Sequence, residues 1–235
     1  MHESRVPSPE SRPFRLAVLA SGRGSNLQAL LDAAPTRGFA IVGVFSDHAD
    51  APALARARVA GVPAVARNPK AFATREAFDT ALFDAIDVGM PDLVVCAGYL
   101  RILSDAAVLR HAGRIVNIHP SLLPKYPGLR THARAIAAGD TEHGASVHYV
   151  IPALDAGPLI AQARLPILPG DTPATLAERL LPREHRLLVE AVTWIAAGRL
   201  LQHGSAVLLD SRPLRTPLRL GADDRLIEPA ETPSP

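Results

Sequence analysis

The run "PDLVVCAGY", Pro91–Tyr99, decides the fold. Leu93, Val94, Val95, Cys96 and Ala97 follow one another with no polar residue between them. A strand with one face in water alternates apolar and polar positions, whereas a strand covered on both faces reads as a continuous apolar run. This stretch is of the second kind and predicts the interior of a parallel sheet with helices on either side.

The surrounding sequence supplies those helices. Upstream, "RLAVLAS" reads as a short apolar strand and "NLQALLDAA" as a helix with Leu27, Leu30 and Leu31 on one face. "AIVGVFSD" is a second strand, "APALARARVAG" a helix opened by Pro52 and closed by Gly61, and "PAVAR" a short strand. "TREAFDTALFDAID" is amphipathic, with Thr74 as N-cap and Phe78, Leu82 and Ile86 on one face. Downstream, "SDAAVLRHAG" is a helix capped by Ser104, and "RIVNIHP" is the next strand. The texture then changes. "GASVHYVI" and "GPLIAQARLPIL" read as two β-runs joined by "PALDAG", an antiparallel addition, and a long helix runs from Pro173 to about Gly198. The expected fold is α/β: a mostly parallel twisted sheet, helices on both faces and an antiparallel C-terminal addition.

The 235 residues are 48% hydrophobic, enough for one domain with its own core, expected over residues 14–200. A single cysteine, Cys96, rules out an internal disulfide and fits a reducing cytoplasm. The net charge is only +2 and aromatics are 4%, without a basic run interleaved with aromatics, so nucleic-acid binding is not expected. "MHESRVPSPESRP" lacks the apolar centre of a signal peptide and reads as a disordered extension over residues 1–13. No run approaches the roughly 18 apolar residues of a membrane span. Residues 201–235 read as a trailing arm and tail, ending in the polar, Pro-rich "LIEPAETPSP".

Ligands of open parallel sheets bind beyond the carboxyl ends of the strands. Three polar groups stand at such ends: "SGRGSN" after the first strand, "GYLRIL" after the Cys96 strand, and "NIHP". "SGRGSN" does not complete the dinucleotide pattern, because Leu27 stands where a third glycine belongs, and it has no P-loop lysine. Gly22 and Gly24 let backbone approach a ligand, and the following helix offers free N–H groups to an anion, with Ser25 and Asn26 as further donors. The alternative is a tight strand–helix turn with Asn26 as N-cap.

Asn117 and His119 are two residues apart and share a strand face. A histidine there is by itself an ordinary half-buried side chain. Asp155, in "ALDAG", is either an Asx turn or the carboxylate that orients His119 and favours its charged form. With it, Asn117 can donate to a developing oxyanion. No nucleophile accompanies them. Ser121 lacks an elbow signature, and Cys96 belongs to the core. The group therefore suits direct transfer between two bound substrates. His143 and His148 lack a metal-ligand spacing, His111 ends a helix where it favours the dipole, and His132 could face the cleft.

The segments "VLASGRGSNLQALLDA", "FSDHADAPALARA", "PDLVVCAGYLRIL", "GRIVNIHPSLLPKYPGLRTH" and "GASVHYVIPALDAGPLIAQA" resemble, in order, the phosphoribosylglycinamide formyltransferase family, over about residues 15–205. The resemblance implies a Rossmann-like formyltransferase fold and a cytoplasmic enzyme of purine biosynthesis, monomer or homodimer. It would use 10-formyltetrahydrofolate as co-substrate, without a metal. It implies Asn117, His119 and Asp155 as catalytic trio: Asn117 and protonated His119 stabilise the oxyanion, His119 donates a proton, and the amine loses one through water near Asp155. It implies Gly24, Ser25, Asn26 and Glu184 as contacts to glycinamide ribonucleotide. On the folate side it implies Arg75, Leu100, Arg101, Ile102, Leu103, Asn117 and the loop Ile151, Pro152, Ala153, Leu154 and Asp155.

The sequence departs from the family at Leu100, where methionine is common, and at Pro182, inside the helical run that carries Glu184. Related formyl-folate enzymes share the trio. A deformylase is expected to carry a further domain before the first strand, and a methionyl-tRNA formyltransferase a long RNA-binding domain after the last. A noncatalytic nucleotide-binding module would keep the glycine loop and lose the trio.

Overall fold

The structure, a computed structural model, describes residues 12–228. The extension expected over residues 1–13 lies outside them up to residue 11, while Arg12 is inside and pairs with Asp92 at 2.7 Å.

Five strands, β1 (Phe14–Leu19), β2 (Phe39–Ser46), β3 (Ala64–Ala66), β4 (Leu93–Cys96) and β5 (Ile115–His119), run parallel in the spatial order β3-β2-β1-β4-β5. The helices α1 (Ser25–Ala33), α2 (Pro52–Val59), α3 (Arg75–Asp87) and α4 (Asp105–Arg110) connect them. Strand order reverses between β1 and β4, and that is where a crevice opens in such sheets.

The continuous apolar runs are explained by two separate cores. Leu93 and Val95 of β4 join Leu16 and Val18 of β1 under α1 and α2, while Val94, Cys96, Ala17 and Leu19 join Phe78, Leu82 and Phe83 of α3 and Val108 of α4. Both faces of β4 are therefore dry, and a charge placed at Val95 would find neither water nor partner. Thr74 caps α3 as expected, its Oγ1 accepting from the Ala77 N–H at 3.1 Å. Ser104 precedes α4 without a side-chain cap; its backbone N–H instead donates to buried Asp79 at 2.6 Å.

After β5 come α5 (Thr131–Ala137), β6 (Glu142–Tyr149), β7 (Leu159–Pro166) and α6 (Pro173–Ala196). β6 pairs antiparallel to both β5 and β7, which is the expected antiparallel addition. α6 starts with Thr172 in a reciprocal capping pair with Thr175 and runs on through Pro182. Pro182 sits on the exposed side of the helix, where water can serve the carbonyl it leaves without a partner, so the helix keeps its course toward Glu184.

The segment past residue 200, expected as a trailing arm, is built into the fold. β8 (Leu200–His203), β9 (Ala206–Leu209) and β10 (Arg212–Pro213) form a small sheet, and β11 (Leu218–Leu220) extends the main sheet beside β7. β12 (Leu226–Ile227), at the start of the segment read as a polar tail, pairs with β11. Leu218, Leu220 and Leu226 are buried there, and Arg183 of α6 donates to the Leu220 and Gly221 carbonyls and to Asp224. Three leucines set among arginines and prolines carry no periodic signal, so composition hid strands that tertiary packing makes.

Candidate active site

In β5, Val116 and Ile118 point into the core under α1 and α6, and Ile115 points the other way. Asn117 and His119 share the side of Ile115, and past it that side opens into a cleft of about 1010 Å³. Asn117, His119 and Asp155 line it, together with Leu100, Arg101, Ile102, Leu103, Ile151, Pro152, Ala153, Leu154, Asn26 and Glu184.

Asp155 stands in the β6–β7 turn with φ 48°, a left-handed conformation that aspartate tolerates better than most residues. Its Oδ2 accepts the Gly128 N–H at 2.7 Å and lies 3.5 Å from His119 Nδ1. One carboxylate thus ties the loop after β5 to the turn after β6 and faces the imidazole. On the other side of the ring, His119 Nε2 is 2.9 Å from the Tyr126 carbonyl. A carbonyl only accepts, so Nε2 carries hydrogen, and Nδ1 is the nitrogen left to exchange a proton.

The loop that supplies the Tyr126 carbonyl is fastened inside and out. Ser121, fully buried, donates to the Lys125 carbonyl at 2.6 Å. Ser146 of β6 donates to the Ser121 carbonyl, and Gln162 of β7 donates to the Leu123 carbonyl. Outside, Asp140 accepts from Lys125 and from the Tyr126 hydroxyl, and Arg134 donates to the Pro127 carbonyl. Ser121 is thereby a structural hydroxyl. Cys96 is likewise inert, because burial pushes its thiol up to about 12.

The glycine loop differs from one sequence alternative. Gly24 (φ 71°), not Asn26, occupies the N-cap of α1, and no side chain caps that end. A Cβ at Gly24 would lie 2.7 Å from Ala53 Cβ, so α2 packs directly on the loop. Ser21 Oγ accepts the Leu100 N–H at 3.0 Å, which joins the loop to the Leu100–Leu103 segment across the β1/β4 crevice. Asn26 lies in the first turn of α1 and donates from Nδ2 to Glu184 at 3.4 Å, while its buried Oδ1 has no partner. Glu184 is 8% exposed, and burial pushes its carboxyl up to about 7. Together they present buried oxygens able to accept from hydroxyls.

The structure does not bring every expected residue to the cleft. Ser25 lines a separate cavity of about 550 Å³ between α1 and α6, and Gly24 lines neither. Arg75, at the exposed start of α3, lies 3.7 Å from Glu76 and outside the cleft lining. His111 is buried against Asp87 at 2.9 Å, and His132 lines the cleft as expected, its Nδ1 2.9 Å from His143 Nε2. Sequence reasoning passed over His148, Arg23, Leu129 and Arg130, which line the cleft as well. Only the antiparallel register, which sets His148 opposite Asn117, reveals the first of these. Leu100, Ile102, Leu129 and Leu154 are each more than half exposed, an apolar rim open to a ligand. Among the described residues, no group of three or more His, Cys, Asp or Glu suits a metal ion, and no helix is long and apolar enough to cross a membrane.

The formyl transferase family pattern matches residues 14–192. The phosphoribosylglycinamide formyltransferase of Escherichia coli is 48% identical over 203 residues, 86% of this chain and 96% of that one. The solved phosphoribosylglycinamide formyltransferase of Coxiella burnetii superposes with a TM-score of 0.83 at 50% identity, covering 86% of this chain and 96% of its own. The human trifunctional purine biosynthetic protein adenosine-3 is 40% identical over 191 residues, 80% of this chain and 19% of that protein. With a family pattern over most of its length and whole-length relatives near half identity, the chain belongs to the formyl transferase family, among the phosphoribosylglycinamide formyltransferases.

Proposed function

We propose that the cleft transfers the formyl group of 10-formyltetrahydrofolate to the amine of N1-(5-phospho-D-ribosyl)glycinamide. The products are N-formylglycinamide ribonucleotide and tetrahydrofolate, in de novo purine biosynthesis. The observation that carries this reading is the meeting of Asn117, His119 and Asp155 in one cleft, with the neighbouring Ser121, Ser146 and Cys96 all buried in structural roles.

The amine attacks the formyl carbon directly and makes a tetrahedral intermediate whose oxygen bears new negative charge. Fixed donors at that oxygen contribute most to such a step. Asn117 gives an amide N–H, and His119 exchanges its proton at Nδ1, since Nε2 is committed to the Tyr126 carbonyl. As the C–N bond to the folate breaks, His119 protonates the leaving nitrogen, while the attacking nitrogen gives up its proton through water near Asp155, which returns the ring to its starting state. Asp155 holds the ring in place while it also fixes the Gly128 loop. In this reading the acceptor reaches past the cleft to the uncapped start of α1, its phosphate on Gly24, Ser25 and Asn26 and its ribose hydroxyls on Glu184 and the unpartnered Asn26 Oδ1. The flat pterin belongs between Leu100–Leu103 and Ile151–Asp155, where apolar walls meet backbone polar groups. Arg101, whose buried Nε has no partner, serves the carboxylate end of the folate. The setting is the cytoplasm, and the enzyme works as monomer or homodimer.

The test is tetrahydrofolate formation by the purified protein. It should depend on glycinamide ribonucleotide. Formate release with water as the only acceptor would replace this reading with a hydrolase.

A further inference from the structure

His148 is not part of the expected trio, yet it touches two of its members. β6 runs antiparallel to β5 with Asn117 opposite His148 and His119 opposite Ser146. Residues directly opposite in an antiparallel pair project to the same face. Asn117 Nδ2 lies 3.2 Å from His148 Nε2, and Asp155 Oδ1 lies 3.7 Å from the same nitrogen, beyond hydrogen-bond reach.

The donor and acceptor roles in this contact follow from the ring's other side. His148 Nδ1 is 2.9 Å from the Tyr149 carbonyl, so Nδ1 carries the hydrogen. The ring is only 2% exposed, and burial lowers its pKa against the opposing pull of the Tyr149 carbonyl and Asp155, with His119 adding to the lowering. The ring is therefore neutral at physiological pH, and Nε2 holds a lone pair. Only the NH₂ end of the Asn117 carboxamide can point at a lone pair. A neutral His148 thus fixes which end of Asn117 faces it, spends one amide hydrogen, and leaves the second N–H in a set direction. Without that acceptor the carboxamide can turn end for end and present oxygen where the oxyanion forms.

We infer that His148 is a positioning residue, which acts through Asn117 to aim an amide N–H at the developing oxyanion. The inference rests on the proposed formyl transfer, since it needs a reaction that makes an oxyanion. It makes Asn117 and His148 one unit, with coupled rather than independent effects on rate.

The experiment is a double-mutant cycle on kcat, using His148→Leu, Asn117→Ala and the double variant with both substrates saturating. Removing one oxyanion donor costs about 10²–10³-fold in kcat, so His148→Leu should lose roughly 10-fold to 10²-fold, with both KM values within about threefold of the parent. In the Asn117→Ala background the same substitution should change kcat less than about twofold. His148→Gln, whose amide oxygen can accept from Asn117, should recover most of the rate. Losses that multiply in the double variant overturn the inference, as does a His148→Leu effect confined to KM. If the leucine variant does not fold, His148→Gln decides the matter in the same cycle: near-parental kcat supports positioning, and a loss as large as Asn117→Ala overturns it. A parent protein that makes no tetrahydrofolate from glycinamide ribonucleotide overturns the functional reading itself.

Discussion

Glu184→Gln should make the protein more stable at neutral pH and worse at binding its acceptor. Glu184 is 8% exposed, with one long hydrogen bond from Asn26, and burial raises its carboxyl from an ordinary 4.5 to about 7. In the unfolded chain the proton leaves near 4.5; in the fold it stays until about 7. Between those values the folded state binds more protons, so stability falls as pH rises and flattens above 7. A displacement of that size corresponds to about 3 kcal/mol of stability present at low pH and absent at pH 8. Glutamine has the same shape and no charge, so it removes this pH dependence.

The assay is urea unfolding of parent and variant at pH 5 and pH 8. The parent should lose roughly 2–3 kcal/mol more than the variant between the two, equivalent to about 5–10 °C in Tm for a chain of this size. Glycinamide ribonucleotide, whose hydroxyls supply the donors an ionised Glu184 lacks, should stabilise the parent more at pH 8 than at pH 5. Its KM should rise about tenfold in the variant, as one acceptor becomes a donor facing another donor on Asn26. Parallel stability profiles for the two proteins would refute the reasoning, because they would show that Glu184 is as free to ionise in the fold as outside it.

Asp155→Asn keeps the shape of the turn but removes the charge facing His119, and kcat should fall about 10²-fold or more while folate affinity, read by fluorescence titration, stays within about threefold. Gly24→Ala places a methyl 2.7 Å from Ala53 Cβ at φ 71°, so urea unfolding should show a loss of about 2–4 kcal/mol, together with weaker binding of the phosphorylated substrate. Gly157→Ala would set a Cβ 1.8 Å from the Tyr149 carbonyl, the group that accepts from His148. It should lower both stability and kcat, and an unchanged kcat would show that the β6–β7 turn moves freely without disturbing the site.

The parallel half of the sheet was legible because its chemistry is local. Leu93–Ala97 must be dry on both sides whatever lies around it, and Thr74, Pro52 and Gly61 mark helix ends through their own side chains or backbone. The catalytic candidates were legible as residue types at strand ends. His148 was not, because its role depends on the register of β6 against β5, and a shift of one residue would turn it into the opposite core. Arg75 shows the converse: the family pattern points to it, while at the start of α3 it lies on the exposed side, away from the cleft lining. The strands past residue 200 were hidden because each buries a few leucines against an edge that only the folded sheet provides.

If the proposed trio carries the reaction, these contacts make its geometry depend on residues with no access to substrate. His119 keeps its ring plane through the Tyr126 carbonyl, and that carbonyl keeps its place through the loop from Ser121 to Tyr126. The loop in turn is held by Ser146, which lies opposite His119 in β6, and by Gln162, which donates to both Ser146 and the Leu123 carbonyl from β7. Ser121, Ser146 and Gln162 are buried, so a lost partner among them leaves an unsatisfied polar atom in a dry place at a cost of about 1–3 kcal/mol. The loop would relieve that cost by moving, and the Tyr126 carbonyl would move with it. A displacement of an ångström at such a site is worth about 10²-fold in rate. The antiparallel addition therefore does more than enlarge the sheet: through His148 it orients Asn117, and through Ser146 and Gln162 it orients His119.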